Sequence, residues 1–472
     1  MTATGSFVRW GVLALVVAGG LIRGAGWQGV WPALRITGGS MAPHLVGEHY
    51  RLICRDCHMV IRYDAHAPPR DGRVVCWNCG AGNDHRVDQQ VWMGQRVLID
   101  RWAFAWQNPD RWDVVAFPMP NHPSRWAVKR IVGLPGERID FRRGDVVANG
   151  RTVRKSLDQL RRMAVLVHDN DYQPRRELEL PPRWHRQSAE SKWQVDGTRL
   201  LFQPHEGAET GLDWVDYQHW PGYAGVVQRT QPSPIMDNDS YNQQLSRRLN
   251  VVTDIMLACR IQIGDGEGSV ALEITDLIDR YRVELCFQHR QLVWFRNSDE
   301  LSRIPLPRFA FARGVLVEFA LCDGQLLFGI DGHPQVRHEF NSIGGKDPQR
   351  QGKESRPRSD SGDPISQVAI GAKGMEFTVD RLRVLRDVHY LTPDYVDQHR
   401  NQGLLGPDEV FVVGDNVPLS QDSRHWPRSG MPIERLWGRV WGLRYLDKRG
   451  ARETEYRDSS FLDILFRSSW KV

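Results

Sequence analysis

The sequence predicts a mainly β protein that carries an N-terminal membrane anchor, a small cysteine-bearing insert and a long inserted β-sandwich. Many short stretches alternate apolar and polar residues with a period of two, which is typical of half-buried strands. Glycine, proline and Asn-Gly turns separate these stretches. At 472 residues the chain exceeds the size that one hydrophobic core usually serves, so we expect several domains.

The first apolar stretch runs from Phe7 to Ile22, is interrupted by Arg9 and is closed by Arg23. A membrane-spanning helix needs about 20 apolar residues, with a lower limit near 17, so this stretch is short. We interpret residues 1–33 as an uncleaved membrane anchor. A cleaved signal peptide is the alternative, because its apolar region is only about 7 to 15 residues long.

The charged residues argue against a nucleic-acid partner. The 62 basic and 57 acidic residues are spread along the chain and leave a formal net charge of +5. Nucleic-acid-binding proteins concentrate basic residues in one run or on one face, and the sequence has no such run. We therefore expect no nucleic acid among the partners.

Two separated parts of the chain, residues 34–154 and 391–472, are expected to form one β core. The first part opens with a glycine-rich approach to a serine, Gly38-Gly39-Ser40, and continues in short strands separated by turns. The second part contains Val410-Phe411-Val412-Val413, an apolar run of the length expected of a buried strand. The core is therefore interrupted by the residues between its two parts.

Residues 155–390 are predicted to fold as the inserted β-sandwich. From Val270 to Ile274 every second residue is large and apolar, as in a strand with one buried face. Asp323-Gly324 joins two apolar runs and suits the positive φ angles of a two-residue hairpin turn. The segment 344–363 contains no bulky apolar residue and is expected to be a disordered loop.

A serine and a lysine carry the candidate catalytic chemistry. A serine hydroxyl is a weak nucleophile and needs a neighbouring base to remove its proton. Lysine can be that base only when it is neutral, and burial in apolar surroundings lowers its pKa. Lys129 lies in an apolar run, where strand alternation places it on the side of Ala127 and Ile131. Spacing alone does not pair Lys129 with Ser40.

Four motifs follow one another along the chain and together cover less than half of it. They are Ser40-Met41-Ala42-Pro43 with Leu45, Arg111 to Phe117, Val128 to Glu137, and Gly414-Asp415-Asn416 with Ser420 to Arg424. In residues and in order they resemble the motifs of bacterial type I signal peptidases, which are serine proteases with a Ser-Lys dyad. Four motifs in one order are a specific signal.

The resemblance implies a role for each matching residue. Ser40 would be the nucleophile and Lys129 its general base. The supporting residues of the last motif would be Gly414, Asp415, Asn416, Ser420, Asp422 and Arg424. The residues of the substrate groove would be Met41, Pro43 and His44.

Within the last motif, Ser420 would hydrogen-bond and orient the lysine amine. Asp422 and Arg424 would form a supporting ion pair, and Gly414-Asp415-Asn416 would shape the turn beside the site. The backbone N–H of Ser40 would serve the oxyanion hole.

Two positions depart from the family's pattern. Gly38 lies where part of the family has a side-chain hydroxyl that helps to form the oxyanion hole. His44 replaces the usual threonine of the first motif. A histidine could also act as a base, but with Lys129 present we favour a groove-lining role for His44.

The implied reaction is peptide hydrolysis through an acyl-enzyme, which removes N-terminal signal peptides from exported preproteins. Small residues at the first and third positions before the cut fit the A-x-A pattern. The implied partners are signal peptides and the lipid bilayer. The implied location is the bacterial cytoplasmic membrane, crossed once, with the catalytic domain on the extracytoplasmic side. No cofactor is implied for catalysis.

Four cysteines form two C-x-x-C pairs separated by eighteen residues: Cys54, Cys57, Cys76 and Cys79. This spacing is typical of zinc ribbons, in which four thiolates close a tetrahedral site. We therefore interpret residues 50–92 as a zinc-ribbon insert that holds structural zinc. Two disulfides or a redox-active pair are the alternative in an oxidising compartment.

The inserted sandwich weakly resembles concanavalin-like or laminin-G-like jelly rolls, which often bind glycans or proteins. A glycan or protein ligand is one expectation for it, and a structural role is the other. The second functional hypothesis for the whole chain is a binding protein that presents the sandwich on a vestigial peptidase core. Because the insert lies between complete motifs, we also expect the catalytic residues to work without it.

Overall fold

The computed structural model describes residues 32–87, 90–120, 122–175, 182–204, 211–220, 222, 231–340, 366–391 and 403–442. Nearly all of the predicted anchor and the whole of the predicted loop 344–363 lie outside these ranges. Within them, no helix combines the length and the apolar character needed to span a bilayer.

The described part of the chain is mainly β, as predicted, with thirty strands and one α-helix. Strands β1 to β12 are Ala33–Arg35, His49–Ile53, Val60–Asp64, Arg73–Val75, Gly82–Asp84, Val91–Trp92, Arg96–Asp100, Val114–Met119, His122–Gly133, Ile139–Arg142, Asp145–Ala148 and Arg151–Thr152. Helix α1 is Leu157–Met163. Strands β13 to β27 are Val165–Asp169, Trp184–Arg186, Trp193–Asp196, Arg199–Phe202, Asp213–Tyr217, Ile255–Ile263, Ser269–Thr275, Arg280–Cys286, Gln291–Arg296, Asp299–Pro305, Val315–Cys322, Gln325–Ile330, His333–Glu339, Val368–Lys373 and Phe377–Arg386. Strands β28 to β30 are Glu409–Val413, Met431–Pro432 and Gly438–Gly442, and the 3-10 helices are His85–Val87, Phe311–Arg313 and Ile433–Arg435.

Both parts of the interrupted core contribute to one seven-stranded sheet, which we call the motif sheet. Its strand order is β1-β7-β30-β8-β9-β28-β29. Strand β9 pairs on one side with β8, where Val115 lies opposite Lys129. On its other side it pairs with β28, where Val413 lies opposite Arg130. A small sheet, β10-β11-β12, follows β9 in the chain.

Two larger antiparallel sheets form the sandwich. Their strand orders are β15-β16-β27-β18-β23-β24-β25, with β13 also paired to β27, and β14-β17-β26-β19-β20-β21-β22. Residues of both sheets, among them Leu257, Leu272 and Trp294, share one buried apolar core. The predicted hairpin is confirmed: β23 and β24 are joined by Asp323 and Gly324, whose φ angles are 52° and 67°.

Helix α1 was not expected from the sequence. Ser156 caps it through a capping box, in which Ser156 and Gln159 each bond the other's backbone N–H. Leu157 and Leu160 pack on Leu327 and its neighbours on the outer face of the sandwich. The Ser-x-x-Gln spacing was the sequence signal that could have predicted this helix.

A buried lysine ties the motif sheet to the sandwich. The Lys155 amine lies 2.8 Å from Asp323 Oδ1 and 2.7 Å from Asp387 Oδ2, and 4.8 Å from the ring of Trp112. Burial lowers the pKa of Lys155, but Asp323 and Asp387 outweigh that effect and hold it above its usual value. The amine therefore stays charged and fixes the point at which the sandwich begins.

Candidate active site

The candidate nucleophile lies in the loop that follows β1, which we call the nucleophile loop and define as residues 36–48. Two backbone hydrogen bonds shape it: Ala42 N–H donates to Gly39 O (3.1 Å), and Leu45 N–H donates to Met41 O (2.9 Å). Ser40 lies in the first of these turns. The turn therefore sets the position of the Ser40 side chain.

Lys129 projects from β9 to the serine. Its amine lies 2.6 Å from Ser40 Oγ, and the residue is only 4% exposed. Burial lowers the pKa of Lys129 to about 8, although the charges of Asp422 and Asp415 oppose the shift. A lysine with this pKa is neutral in a substantial fraction of molecules at mildly alkaline pH, so it can accept a proton from Ser40.

Asp422 is the centre of the last motif and is fully buried. Arg424 donates to it through Nε (2.8 Å) and Nη2 (2.8 Å), and Gly414 N–H donates at 3.0 Å. Burial tends to raise the pKa of Asp422, but Arg424 outweighs burial and holds it well below its usual value. The ion pair expected from the motif is therefore present in the structure.

Ser420 differs from the expectation. Its hydroxyl donates to Asp422 Oδ2 at 2.6 Å, and no hydrogen bond joins it to Lys129 in the described part of the chain. The negative carboxylate is the stronger acceptor and lies within reach of the hydroxyl. The expected contact of Ser420 with the lysine amine is thus corrected to a contact with Asp422.

Arg130 and Asp415 form a buried ion pair that the sequence did not reveal. Arg130 donates through Nε (2.8 Å) and Nη2 (2.6 Å) to the two carboxylate oxygens. His44 Nδ1 lies 2.9 Å from Asp415 Oδ2. Burial tends to raise the pKa of Asp415, but Arg130 and His44 hold it well below its usual value. The adjacent residues Lys129 and Arg130 therefore contact different parts of the site: Lys129 contacts Ser40, and Arg130 contacts Asp415 of the last motif.

Asn416 holds the backbone of the nucleophile loop. Its N–H donates to Ser40 O (3.1 Å), and its Nδ2 donates to Gly39 O (2.9 Å). Gly414 lies so close to Ser40 O and to the Ser420 hydroxyl that a Cβ at this position would collide with both. The Gly-Asp-Asn turn therefore packs directly against the back of the serine.

The Ser40 backbone N–H has no acceptor among the hydrogen bonds of the described residues. A free N–H next to the nucleophile is what an oxyanion hole requires. Gly38 faces open space, because a Cβ at this position would meet no atom within 4 Å. No second side-chain donor is therefore provided at Gly38.

The expected groove residues separate into two groups. Met41 is only 1% exposed, so its side chain is not open to a groove. Pro43 and His44 border a cavity of about 680 Å³. The opposite walls come from the cysteine insert and the sandwich, among them Trp77 and Tyr241.

The four cysteines of the insert lie together. The Sγ atoms are 3.6 Å apart in Cys54–Cys79 and in Cys57–Cys76, and all four lie within 4.8 Å of one another. These distances exceed a disulfide bond of about 2.05 Å. They are close to the edge of a tetrahedron with Zn–S bonds of about 2.3 Å. The donor set therefore fits a metal with thiolate ligands.

The two C-x-x-C turns have the same form. His58 N–H donates to Cys54 O (3.1 Å), and Gly80 N–H donates to Cys76 O (2.7 Å). His58 and Gly80 both have positive φ angles, 60° and 82°. Each turn thus points its two thiols to the same side.

Comparison with known proteins matches the first part of the chain to a protease family. The profile of the family described as "Signal peptidase, peptidase S26" matches residues 6–189, which is less than half of the chain. Signal peptidase I V of Bacillus subtilis (strain 168) is 32% identical over 60 residues. That alignment covers 13% of this chain and 34% of the relative. The chain therefore matches about a third of that relative.

Comparison with solved structures finds matches of low similarity. The carbohydrate binding module CBM66 from Bacillus subtilis covers 43% of this chain and 92% of its own, with 9% identity and a TM-score of 0.23. The galectin LEC-6 of Caenorhabditis elegans covers 28% of this chain and 83% of its own, with 11% identity and a TM-score of 0.20. A Bacillus subtilis protein of unknown function with a galectin-like fold covers 48% of this chain and 98% of its own, with 9% identity and a TM-score of 0.27. With TM-scores below 0.5, these likenesses support no conclusion about this chain.

Proposed function

We propose that this chain is a membrane-bound serine endopeptidase that removes N-terminal signal peptides from exported preproteins. Ser40 is the nucleophile and Lys129 the general base. The observation that carries the proposal is the 2.6 Å contact between the Lys129 amine and Ser40 Oγ, formed in a buried site where the lysine pKa is about 8. The match of residues 6–189 to the signal peptidase family supports the same reading.

The reaction follows from the positions of these groups. Neutral Lys129 accepts the Ser40 proton as Oγ bonds to the scissile carbonyl carbon. The carbonyl oxygen becomes an oxyanion that the Ser40 N–H can bind. When the C–N bond breaks, Lys129 returns the proton to the departing amine. Neutral Lys129 then takes a proton from a water molecule, whose oxygen bonds to the acyl carbon. When the bond from that carbon to Ser40 Oγ breaks, Lys129 returns the proton to Oγ, and the signal peptide leaves with a free carboxylate.

The supporting residues adjust this dyad. Asp422 favours the charged form of Lys129 and limits how far burial lowers its pKa. Arg424 and Ser420 hold Asp422 in place. Asn416 fixes the carbonyls of Gly39 and Ser40, so that the serine keeps its orientation.

A cluster of exposed tryptophans supports a position at the membrane. Trp102 and Trp106 stack at 5.4 Å and are 49% and 82% exposed, and Trp126 packs on Trp437 at 4.3 Å. Arg101, which precedes Trp102 in the chain, lies over the ring of Trp437 at 5.6 Å. Tryptophan is enriched at membrane–water interfaces. In the proposal, residues 1–33 anchor the chain in the bacterial cytoplasmic membrane, with the catalytic domain on the extracytoplasmic side.

Structural zinc is the metal that we propose for Cys54, Cys57, Cys76 and Cys79. Zinc takes four thiolates in a tetrahedral arrangement and needs no open position in a structural site. Bound there, it would hold together strands β2, β3 and β4, which share only a small apolar core. No residue of this site enters the proposed reaction.

Cleavage of a model preprotein by the full chain in lipid vesicles tests the proposal. Wild type should release a signal peptide that ends in A-x-A. Ser40→Ala and Lys129→Ala should each lower turnover about 10³-fold or more, and the double variant should be no worse, because the two groups act as a unit. Turnover of Lys129→Ala above a few per cent of wild type would refute the dyad.

Lys373→Ala is the matched control. Lys373 lies in the sandwich and pairs with Glu284 at 3.1 Å, so its loss should leave turnover unchanged. A folded wild-type protein that cuts no preprotein would favour the second hypothesis, a binding protein built on a vestigial peptidase core.

A further inference from the structure

One loop of the sandwich reaches the candidate active site. It comprises residues 236–251, and we call it the bridge loop. An isolated β-bridge between Met236 and Val251 closes it at its base. Arg247 donates to both oxygens of Asp237 (3.1 and 2.9 Å), and Asn250 N–H donates to the same carboxylate at 2.9 Å. The bridge loop therefore has a fixed shape of its own.

The bridge loop is also fixed to the body of the sandwich. Arg386, at the end of β27, is buried and donates through Nη2 to Asn238 O at 2.9 Å. Arg386 therefore links the start of the bridge loop to β27 of the sandwich.

Asn242 of the bridge loop pairs with Asn416 of the last motif. Asn242 Nδ2 donates to Asn416 Oδ1 at 2.7 Å, and Asn416 Nδ2 donates to Asn242 Oδ1 at 2.9 Å. The second hydrogen of Asn416 Nδ2 goes to Gly39 O. The amide pair thus fixes the orientation of the side chain that holds the nucleophile loop.

Tyr241 of the bridge loop also packs against the nucleophile loop. It is 1% exposed and forms a small apolar cluster with Ala42 and Val46. Its hydroxyl donates to Glu48 O at 3.0 Å. Gly39 lies against the tyrosine ring so closely that a Cβ at this position would collide with it. Contacts from the sandwich therefore reach the residue before Ser40.

We propose that Tyr241 and Asn242 are positioning residues for Ser40, acting through Gly39 and Asn416, so that the sandwich completes the catalytic site. This inference rests on the proposed function. It is opposed to the expectation that the catalytic residues work without the insert, because two residues of the insert contact the nucleophile loop and the last motif. A peptidase core without the bridge loop would keep Ser40 and Lys129 but lose the restraint on their geometry.

A double-mutant cycle in the full chain tests the proposal, with kcat and KM measured on a short signal-peptide substrate. Asn242→Ala should lower kcat about tenfold, the size expected for one buried hydrogen-bonding pair, with KM within about twofold of wild type. The variant Asn242→Ala/Asn416→Ala should lose no more than Asn416→Ala alone, because Asn242 acts through Asn416. The proposal would be overturned if Asn242→Ala kept the wild-type kcat. It would also be overturned if the loss of kcat in the double variant equalled the combined losses of the two single variants.

Gln243→Ala is the matched control within the bridge loop. The Val75 N–H of the cysteine insert donates to Gln243 Oε1 (3.0 Å), and Gln243 Nε2 donates to Val75 O (3.2 Å) and to Ser240 O (3.0 Å). The Gln243 side chain has no hydrogen bond to the last motif in the described part of the chain. We expect kcat to stay at the wild-type value in this variant. A loss equal to that of Asn242→Ala would mean that any damage to the bridge loop lowers activity, and positioning through Asn416 would be rejected.

Hydrogen exchange tests the positioning role without relying on catalytic activity. In Asn242→Ala the backbone amides of residues 39–46 should exchange about tenfold faster than in wild type, whereas those of β9 should not change. This result can be obtained even if wild type cuts no substrate, in which case the proposed function alone fails. Unchanged exchange at residues 39–46 would reject the positioning role, whatever the activity.

Discussion

The charge of Asp422 and the burial of Lys129 shift the pKa of Lys129 in opposite directions. Burial lowers the pKa of the lysine, the charge of Asp422 raises it, and the result is a pKa of about 8. Because only the neutral amine accepts a proton, activity should be low well below this pH and should rise as the pH passes through about 8. The measurement is kcat against pH on a short substrate. A flat profile between pH 6 and 9 would contradict the assignment of Lys129 as base.

Removing the negative charge of Asp422 should shift the pH at which activity reaches half of its maximum. In Asp422→Asn, burial acts on Lys129 without the opposing charge, so the rise in activity should occur at lower pH, even if the maximum rate falls. Asp140→Asn is the control, because Asp140 lies on β10 at the surface and pairs with the exposed Arg142. The control should keep the wild-type midpoint. A midpoint in Asp422→Asn that stays in place or rises would show that Asp422 does not set the lysine pKa.

The ion pair of Arg130 and Asp415 should matter for stability. Both side chains are almost fully buried, so Arg130→Met leaves a buried carboxylate without its main partner. We expect the free energy of unfolding to fall by about 3 kcal/mol. Arg142→Met, which breaks an exposed pair, should cost less than about 1 kcal/mol. Urea unfolding of both variants gives the comparison, and equal costs would contradict the prediction.

Gly38 and Gly39 are adjacent but should respond differently to substitution. Gly38→Ala should leave turnover unchanged, because its Cβ would meet open space. Gly39→Ala should lower kcat by at least about tenfold, because its Cβ would collide with Tyr241 and displace the turn that carries Ser40. Steady-state kinetics of the two variants provides the test. Similar activities would mean that the turn adjusts at no cost.

Gly38→Ser extends that comparison. A hydroxyl at this position would be the second donor that the oxyanion hole lacks, so kcat should rise above that of Gly38→Ala. Removing one such donor from a serine protease lowers kcat about 10²- to 10³-fold. We therefore expect the kcat of Gly38→Ser to exceed that of Gly38→Ala by at least about threefold. A Gly38→Ser variant no faster than Gly38→Ala would show that the hydroxyl does not reach the oxyanion.

Metal content tests the cysteine insert. Native mass spectrometry should find one zinc ion per chain, and Cys76→Ser should lose it and destabilise the insert, because metal binding contributes folding free energy. Cys286→Ser is the control, since Cys286 lies on β20 away from the cluster. Two disulfides and no metal in the wild-type protein would reject zinc in favour of the alternative.

The sequence allowed prediction of the parts of the site that local patterns encode. Strand alternation placed Lys129 on the side of Ala127 and Ile131, and these two residues do share one apolar cluster. The Asp-Gly pair predicted the hairpin between β23 and β24 because turn chemistry is local. The catalytic roles came from the resemblance and stay predictions.

Contacts between distant parts of the chain could not be predicted in this way. The partner of Arg130 is 285 positions away, and the partner of Asn416 is 174 positions away in the sandwich. No periodicity or motif relates such pairs, because they depend on how the two sheets and the loops pack. For Ser420 the resemblance implied a bond to the Lys129 amine, whereas in the structure its hydroxyl donates to Asp422, two positions along the chain.

The order in which the chain is synthesised has a consequence for the motif sheet. Ser40 and Lys129 emerge before residues 155–390, whereas β28 and Asp422 emerge after them. Closing a loop of this length is entropically costly unless the intervening segment folds first and brings its ends together. We therefore expect the sandwich to fold before β28 pairs with β9. A nascent chain that has reached only residue 390 already contains the serine and the lysine but still lacks Asp422, whose charge raises the pKa of that lysine, so the complete catalytic site requires the part of the chain that is synthesised last.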